Sequence, residues 1–277
     1  MSVTRQSVLW GQARALMHKP PVSTRWRYMG DGLPLYGPLD DATIWRAQMC
    51  MFLLHVSQWE PAFYQEQLLP YLASFVSHWR HPLAEVDATG IRNQPFVVPN
   101  RSAYSPYALM KIAPFARFAF HVNSNAWNGR TFRQGHGFPM LEGFSHVSFS
   151  DHFIRPAGVA NMVKSSVFEG VTHLALYGCC IGDEGLELLS TASCMQNLEL
   201  LDVSGCQITD AGVVAMCKAH AFPLLRVLRM RQNSVTEKGC RALLDSGMLS
   251  MLDEFVVQEN PVSVAMQQEL AVHGGIY

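Results

Sequence analysis

Several short stretches of this chain hold side chains of the types that do chemistry. "HVSFSDH" (146–152) brings Ser, His and Asp within a few positions, the ingredients of a nucleophile activated by an imidazole and a carboxylate. "LELLDVSGCQITDAG" (198–212) offers the thiol of Cys206 and the carboxylate of Asp210, and Cys179 with Cys180 adds two soft donors upstream. "HWRH" (78–81) would set His78 and His81 on one helical face, and "GHG" (135–137) is a short glycine-rich turn. Each falls short of the pattern its chemistry needs. The cysteines lack zinc-ligand spacing, and two histidines with no carboxylate or thiol more often end a helix. "GHG" is too short for a phosphate-binding fingerprint and follows no convincing strand. A triad needs geometry and not proximity in sequence.

The elements that would position these residues repeat. Shifting the chain by 27 residues aligns "FSHVSFSDHFIRPAG" (144–158), "VTHLALYGCCIGDEG" (171–185), "LELLDVSGCQITDAG" (198–212), "LRVLRMRQNSVTEKG" (225–239) and "LDEFVVQENPVSVAM" (252–266). One column holds Phe144, Val171, Leu198, Leu225 and Leu252; the next holds Val147, Leu174, Leu201, Leu228 and Phe255. Two more hold Phe149, Leu176, Val203, Met230 and Val257, and Ile154, Ile181, Ile208, Val235 and Val262. Gly158, Gly185, Gly212 and Gly239 recur, as do Met162, Leu189, Met216 and Leu243.

The apolar-x-x-apolar-x-apolar pattern places its last two apolar residues on one face of a short strand. Cys179, Cys206, Asn233 or Asn260 follows, where the chain turns. A buried Asn there hydrogen-bonds the turn backbone, and Cys is its small buried substitute. "GDEGLELLS" (182–190) and "TDAGVVAMC" (209–217) then read as helices, with Asp183, Thr209 or Thr236 near the start and Leu186 and Leu189 facing inward. One unit cannot bury its apolar side alone, so units stack. In this register Cys206 and Asp210 are architecture, and His146, Ser148 and Ser150 are strand residues.

These residues resemble the leucine-rich repeat, in its long form with a full helix as in ribonuclease-inhibitor-like proteins. The resemblance covers about residues 144–263. It implies an α/β solenoid with parallel strands on the concave side and helices outside, used to hold other macromolecules, and it implies no reaction or cofactor. The end copies are degenerate: His152 stands in the Cys/Asn column, Pro156 lies near a helix start, and Met266 replaces the glycine. The words "GVTHLALYGCCIGDEGLELLS" and "LELLDVSGCQITDAG" are also similar to the repeats of the mitochondrial ATP synthase subunit s and distal-membrane-arm assembly proteins.

The composition suits a soluble compact protein, 49% hydrophobic, whose longest apolar run, "MCMFLLHV" (49–56), is too short to span a bilayer. A net charge of −1 makes no electrostatic case for nucleic acid as the main partner and leaves RNA contact to a local basic patch. The seven cysteines read as reduced core residues. From Met1 to Gly30 there are five Lys or Arg residues and no acid, and "SVLWGQARALMH" (7–18) can form a helix with Val8, Leu9, Ala15 and Leu16 along one side. That is the composition of a mitochondrial targeting segment, or of a basic arm lying on the domain or a neighbour.

Four regions follow: a basic arm and turn-rich linker (1–40), an aromatic-rich helical cap (41–81), irregular early repeats (82–143) and the regular repeats with a C-terminal cap (144–277). In the cap, Asp40 or Asp41 is a plausible N-cap, and "ATIWRAQMCMFLLHVSQW" (42–59) is apolar on nearly every side and should be buried all round or covered by a partner. In "EPAFYQEQLLPYLASFVSHW" (60–79), Tyr64, Leu68, Tyr71, Leu72, Phe75 and Trp79 follow helical spacing and Pro70 should kink or break the helix. Leu83, Val86 and Ala88 fit a strand, as do Phe120, Val122, Asn125 and Trp127, which lie one period before the first clear copy.

What remains is a binding surface. The strand positions between core residues face the concave side: His146, Ser148 and Ser150; His173, Ala175 and Tyr177; Leu200, Asp202 and Ser204; Val227, Arg229 and Arg231; Glu254, Val256 and Gln258. Of these, His173, Tyr177, Asp202, Arg229, Arg231 and Gln258 are the expected partner-binding set. Asp202 beside Arg229 reads as a surface ion pair worth roughly 0–1 kcal/mol. The expected function is a non-enzymatic scaffold, a structural or assembly subunit of a large mitochondrial complex (respiratory chain, ATP synthase or mitochondrial ribosome) whose partners are other proteins. The competing expectation is a cytosolic adaptor of the ribonuclease-inhibitor-like or F-box-like kind.

Overall fold

The computed structural model describes residues 5–17, most of 49–74, 84–87, most of 110–123, and all of 141–273 except 151, 152 and 220. The linker 30–41, Phe75–His81, Ala88, Asn125–Met140 and His152 lie outside the described residues, and with them the expectations for those positions. The chain forms two compact units, Met1–Glu85 with Val97–Phe118, and Val86–Phe96 with Ala119–Tyr277.

In the first unit, helix α1 (Arg5–Met17) buries Leu9 and Ala13 and lays Trp10 edge-on against Phe63 and Tyr71, with centroids 5.7 and 5.0 Å apart. Of the expected inward stripe, Val8 and Ala15 are exposed and Leu16 is half-buried, and Ala13 is buried with Leu9 instead. Leu9 and Ala13 are four apart and share a helix face that Val8 does not. The segment 49–59 is likewise one-sided: Met49, Phe52, Leu53 and Val56 are buried at helical spacing, while His55 and Gln58 are exposed. Trp59 is 60% exposed and its ring stacks on His55 at 4.6 Å, so of the two expectations for this helix the chain itself does not supply burial all round. Pro70 does not break its helix. Segments α2 (Pro61–Phe63) and α3 (Leu69–Ala73) are joined by a π-helical turn, Tyr64–Leu68, in which Leu69 N–H bonds to Tyr64 O. The wider turn leaves Pro70 in the first turn of α3, where no N–H is needed.

The second unit holds most of a seven-stranded sheet in the order β1-β2-β3-β4-β5-β6-β7. The strands are Ala84–Asp87, Phe118–Asn123, His146–Ser150, His173–Tyr177, Leu200–Asp202, Val227–Arg229 and Glu254–Val256. From β2 onward neighbours pair in parallel, and partners lie one period apart: Phe120 with Val147, Leu174 with Leu201, Leu228 with Phe255. The irregular early strand β2 therefore belongs to the array, in the register its apolar residues set. Helices α4 (Arg155–Met162), α5 (Gly182–Thr191), α6 (Asp210–Lys218), α7 (Glu237–Asp245) and α8 (Val264–His273) return the chain between and after the strands. Every residue of the four strand columns is buried, as are Met162, Leu189, Met216 and Leu243, and Leu270 extends that last column into α8.

Three ladders of polar contacts lock one unit to the next. The carbonyls of Ser145, Thr172, Glu199 and Arg226 each accept two N–H groups from the following unit, at 2.7–3.1 Å. The turn column forms the second ladder. Asn233 Oδ1 accepts from the N–H groups of Cys206 and Ile208, both at 3.0 Å, and its Nδ2 donates to Val203 O at 2.9 Å and Met230 O at 3.0 Å. Asn260 repeats the donation to Met230 O at 2.8 Å, and the thiols of Cys206 and Cys179 make the equivalent bonds to Leu176 O and Phe149 O.

The third ladder explains Asp210. Thr209 and Thr236 cap α6 and α7, accepting from Ala211 N–H and Lys238 N–H at 3.2 Å. Each cap is held in turn by the acid one unit earlier. Asp183 accepts from the N–H and hydroxyl of Thr209 at 2.7 and 2.6 Å, and Asp210 does the same for Thr236. Burial pushes the Asp210 carboxyl up, but the bonds from Thr236 and from Gly239 N–H outweigh it and hold the carboxyl below its ordinary value. The glycine column follows from this contact. A Cβ on Gly212 would lie 2.5 Å from Asp183 Oδ1 and 3.1 Å from Asp183 Cα; on Gly239 it would lie 2.6 Å from Asp210 Oδ1.

Two substitution pairs check this account by denaturant unfolding. Asn233→Ala orphans buried backbone groups and should cost about 3 kcal/mol, whereas Cys206→Ala, which removes one thiol donor, should cost about half as much. Gly→Ala in a helix ordinarily stabilises by about 0.8–1.0 kcal/mol. Gly11→Ala in α1, with nothing within 4 Å of the new Cβ, should do so. Gly212→Ala should instead destabilise by roughly 1–3 kcal/mol, as overpacking does.

Candidate functional site

The strands present three rows of side chains outward from the apolar columns, as their alternation requires. The first row is His146, His173, Leu200, Val227 and Glu254; the second is Ser148, Ala175, Asp202, Arg229 and Val256. The third begins with Ser150 and Tyr177 and continues at the same period through Ser204, Arg231 and Gln258. Access differs sharply along the sheet. His146, Ser148, Ala175, Leu200, Asp202 and Ser204 are buried, so much of the face over β3–β5 is withdrawn from solvent. Ser150, His173 and Tyr177 are half-buried, as are Val227, Arg229, Glu254, Val256 and Gln258, and Arg231 is exposed, so the most reachable part of the face lies over β6 and β7.

At the closed end the His146 and His173 rings stack at a centroid distance of 3.8 Å and an angle of 15°. The hydroxyl preceding each ring holds its Nδ1: Ser145 Oγ at 2.9 Å and Thr172 Oγ1 at 3.0 Å. These hydroxyl–imidazole contacts join sequence neighbours, recur one period apart, and orient the rings for stacking.

Asp202 departs from expectation. It is 4% exposed, and Arg229 pairs with Glu254, its Nε donating to Glu254 Oε1 at 2.7 Å. Asp202 Oδ1 accepts from Ser204 N–H at 2.9 Å, and the Ser204 hydroxyl in turn accepts from Arg231 N–H at 3.2 Å. Burial pushes the Asp202 carboxyl above its ordinary range despite the Ser204 bonds and the nearby Arg229 charge. The surface ion pair is thus replaced by a buried carboxylate braced by its own turn, because short strands put the serine two residues on within reach.

The open end carries a network that sequence reasoning missed. Arg231 pairs with Glu259, its Nε donating to Oε1 at 2.7 Å, and Gln232 Nε2 donates to Glu259 Oε2 at 2.5 Å. Tyr177 Oη donates to Gln232 Oε1 at 3.0 Å, reaching across the intervening unit, where Gly205 stands in the same column as Gln232. Arg231 and then Gln232 hold the Glu259 carboxyl below its ordinary value. Gln232 and Glu259 have φ of +55° and +57°, in a column where Gly178 and Gly205 both have φ of +66°. A side chain in this left-handed region costs roughly 1–2 kcal/mol. The sequence signal was there: a column that changes from Gly, Gly to Gln, Glu. Of the expected set, Tyr177 and Arg231 put their side chains into this rim network, and Gln258 meets it through its carbonyl, which accepts from Gln232 N–H at 3.1 Å.

Burial works against thiolate formation at four of the described cysteines. Six described cysteines are free, and burial pushes Cys206 up to about 12 and Cys240 up to about 11, and raises Cys194 and Cys217. Among the described residues no group of three His, Cys, Asp or Glu is placed to hold a metal, and no helix is long and apolar enough to cross a membrane.

Residues 171–190 and 194–217 match the family model described as Leucine Rich repeat. With the parallel sheet and its returning helices, the second unit has the α/β fold of a leucine-rich-repeat solenoid. No curated protein matches the chain.

The Asp202 environment makes a signed prediction. Its folded-state pKa lies above the unfolded value of about 3.9, so ionisation opposes folding at neutral pH and the penalty disappears as pH falls through that window. Asp202→Asn keeps the Oδ1 acceptor and should raise Tm at pH 7, with the gain shrinking towards pH 4. A Tm gain independent of pH would contradict this origin.

Proposed function

We propose that this chain is a non-enzymatic scaffold, a structural or assembly subunit of a large mitochondrial complex of the respiratory chain, the ATP synthase or the mitochondrial ribosome. A leucine-rich repeat array supports a protein-interaction role, and such arrays are typically without enzymatic activity. The location rests on one observation. Residues 1–30 carry five Lys or Arg and no acid, and Arg5–Met17 is a helix. The similarity of "GVTHLALYGCCIGDEGLELLS" to the repeats of ATP synthase subunit s and distal-membrane-arm assembly proteins points the same way. Partners are other proteins of the assembly, met through the reachable concave face over β6–β7 and its rim, where Tyr177 and Arg231 are residue types that anchor interfaces.

Cell fractionation with the full chain tagged at its C-terminus, followed by native sizing, tests the reading. The expected result is a mitochondrial particle much larger than the 30.9 kDa chain, at fixed stoichiometry. Replacing the five basic residues of the first thirty by Gln should shift the protein to the cytosol. A wild-type protein found in the cytosol, alone or with one small partner, would overturn the location and favour an adaptor of the ribonuclease-inhibitor-like or F-box-like kind.

A further inference from the structure

Strand β7 stands at one end of the sheet order and, among the described strands, pairs with β6 alone. Within the array, each unit completes the backbone of the unit before it. The carbonyls of Ser145, Thr172, Glu199 and Arg226 accept from the following unit. The N–H groups of Val203 and Met230, and those of Gly178, Gly205 and Gln232, donate to carbonyls of the following unit at 2.8–3.1 Å. The next members of these three columns are Asp253 O, Val257 N–H and Glu259 N–H, and none of them has a partner among the described residues. Phe255 lies between them, in register with Leu228, and alternation turns its N–H and C=O to the same side. The open edge offers an ordered row of donors and acceptors that only an extended backbone matches in full.

Charge selects what that backbone carries. Residues 225–251 hold five Lys or Arg and two acids, whereas residues 252–277 hold four acids and no Lys or Arg. The ion pairs across this boundary all run from cation to acid: Arg229 to Glu254 at 2.7 Å, Arg231 to Glu259 at 2.7 Å and Arg241 to Glu269 at 2.8 Å. One further column alternates in sign from unit to unit, as Glu199, Arg226 and Asp253. Arg226 sends its Nη1 to Met251 O, and Asp253 is exposed and takes part in no ion pair among the described residues. These arginines belong to the unit behind, whose strand lies about 4.8 Å further from the edge. The outermost layer is therefore acidic. Opposite charges on neighbouring strands attract and like charges repel. A cationic strand continues the alternation, whereas a second copy of this edge brings one acidic layer against another.

We propose that the β7 edge docks an extended segment of a partner protein that bears Lys or Arg and adds to the sheet as an eighth strand. The proposal rests on the protein-interaction reading and deepens it, giving one partner contact its place, its backbone conformation and its charge.

The test uses the full chain, deuterated and ¹⁵N-labelled, titrated with N-acetyl-Lys-Val-Lys-Val-Lys-amide and its Glu-Val-Glu-Val-Glu counterpart. A further probe is the lysine peptide N-methylated at every backbone amide, whose methyls block strand pairing. The lysine peptide should shift the Phe255, Val257 and Glu259 amide signals and slow their hydrogen exchange. It should bind about tenfold more tightly than the glutamate peptide, the scale of two exposed charge pairs, and more weakly with added salt. Asp253→Lys, an exposed change, should narrow that preference by about threefold. Amides that stay silent with the lysine peptide, or an equal affinity for the glutamate peptide or the N-methylated one, would overturn the proposal. So would protection of the same amides that grows with protein concentration alone, which assigns the edge to a second copy. A silent edge in a protein that still resides in a large mitochondrial particle sinks only this inference. A lysine-binding edge in a cytosolic protein sinks only the location.

Discussion

The backbone at each turn after a strand has donors and acceptors that its own unit does not satisfy, and the array depends on how they are met. In a core without water every such group must find a partner or cost roughly 1–3 kcal/mol. Asn233 meets the need with one amide, accepting from two N–H groups and donating to carbonyls on either side of the unit boundary. Cys206 meets it with a thiol, fully buried and protonated. The chain moves from Cys, Cys to Asn, Asn along the array without shifting the period, because both side chains place a donor at the same carbonyl column.

A second constraint follows from stacking at this spacing. Helices α5, α6 and α7 approach closely enough that the acid opening one helix bonds the cap of the next, and that approach leaves no room for a Cβ on Gly212 or Gly239. Acid, threonine and glycine are therefore one device. Their recurrence at a single period reflects one contact repeated, and residues that look catalytic in isolation are its parts.

The same regularity makes departures informative. Where a left-handed column holds Gln232 and Glu259 instead of glycine, the side chains join Tyr177 and Arg231 in a polar rim. Where Phe222 precedes Pro223, which disfavours a right-handed turn there, its backbone is left-handed, with φ of +58°. Both departures fall in the later units, on the side of the array where the outward face is open to solvent.

The strands, their parallel register, the buried columns and the roles of the turn and cap residues were legible in the sequence. Each follows from one unit's chemistry copied at a fixed interval, so a column of five residues reports one environment five times. The irregular strand at 118–123 was legible for the same reason, through Phe120 and Val122. Which outward residues are reachable was not, because alternation sets the side of the sheet a residue faces but not what else covers that side. Asp202 and Arg229 are adjacent in register, yet one is buried against Ser204 and the other pairs with Glu254. In the first unit, helical spacing identified an apolar stripe without choosing among its members. Packing of Trp10 on Phe63 and Tyr71, and the π-helical turn around Pro70, were decided only by contacts between segments far apart in the chain.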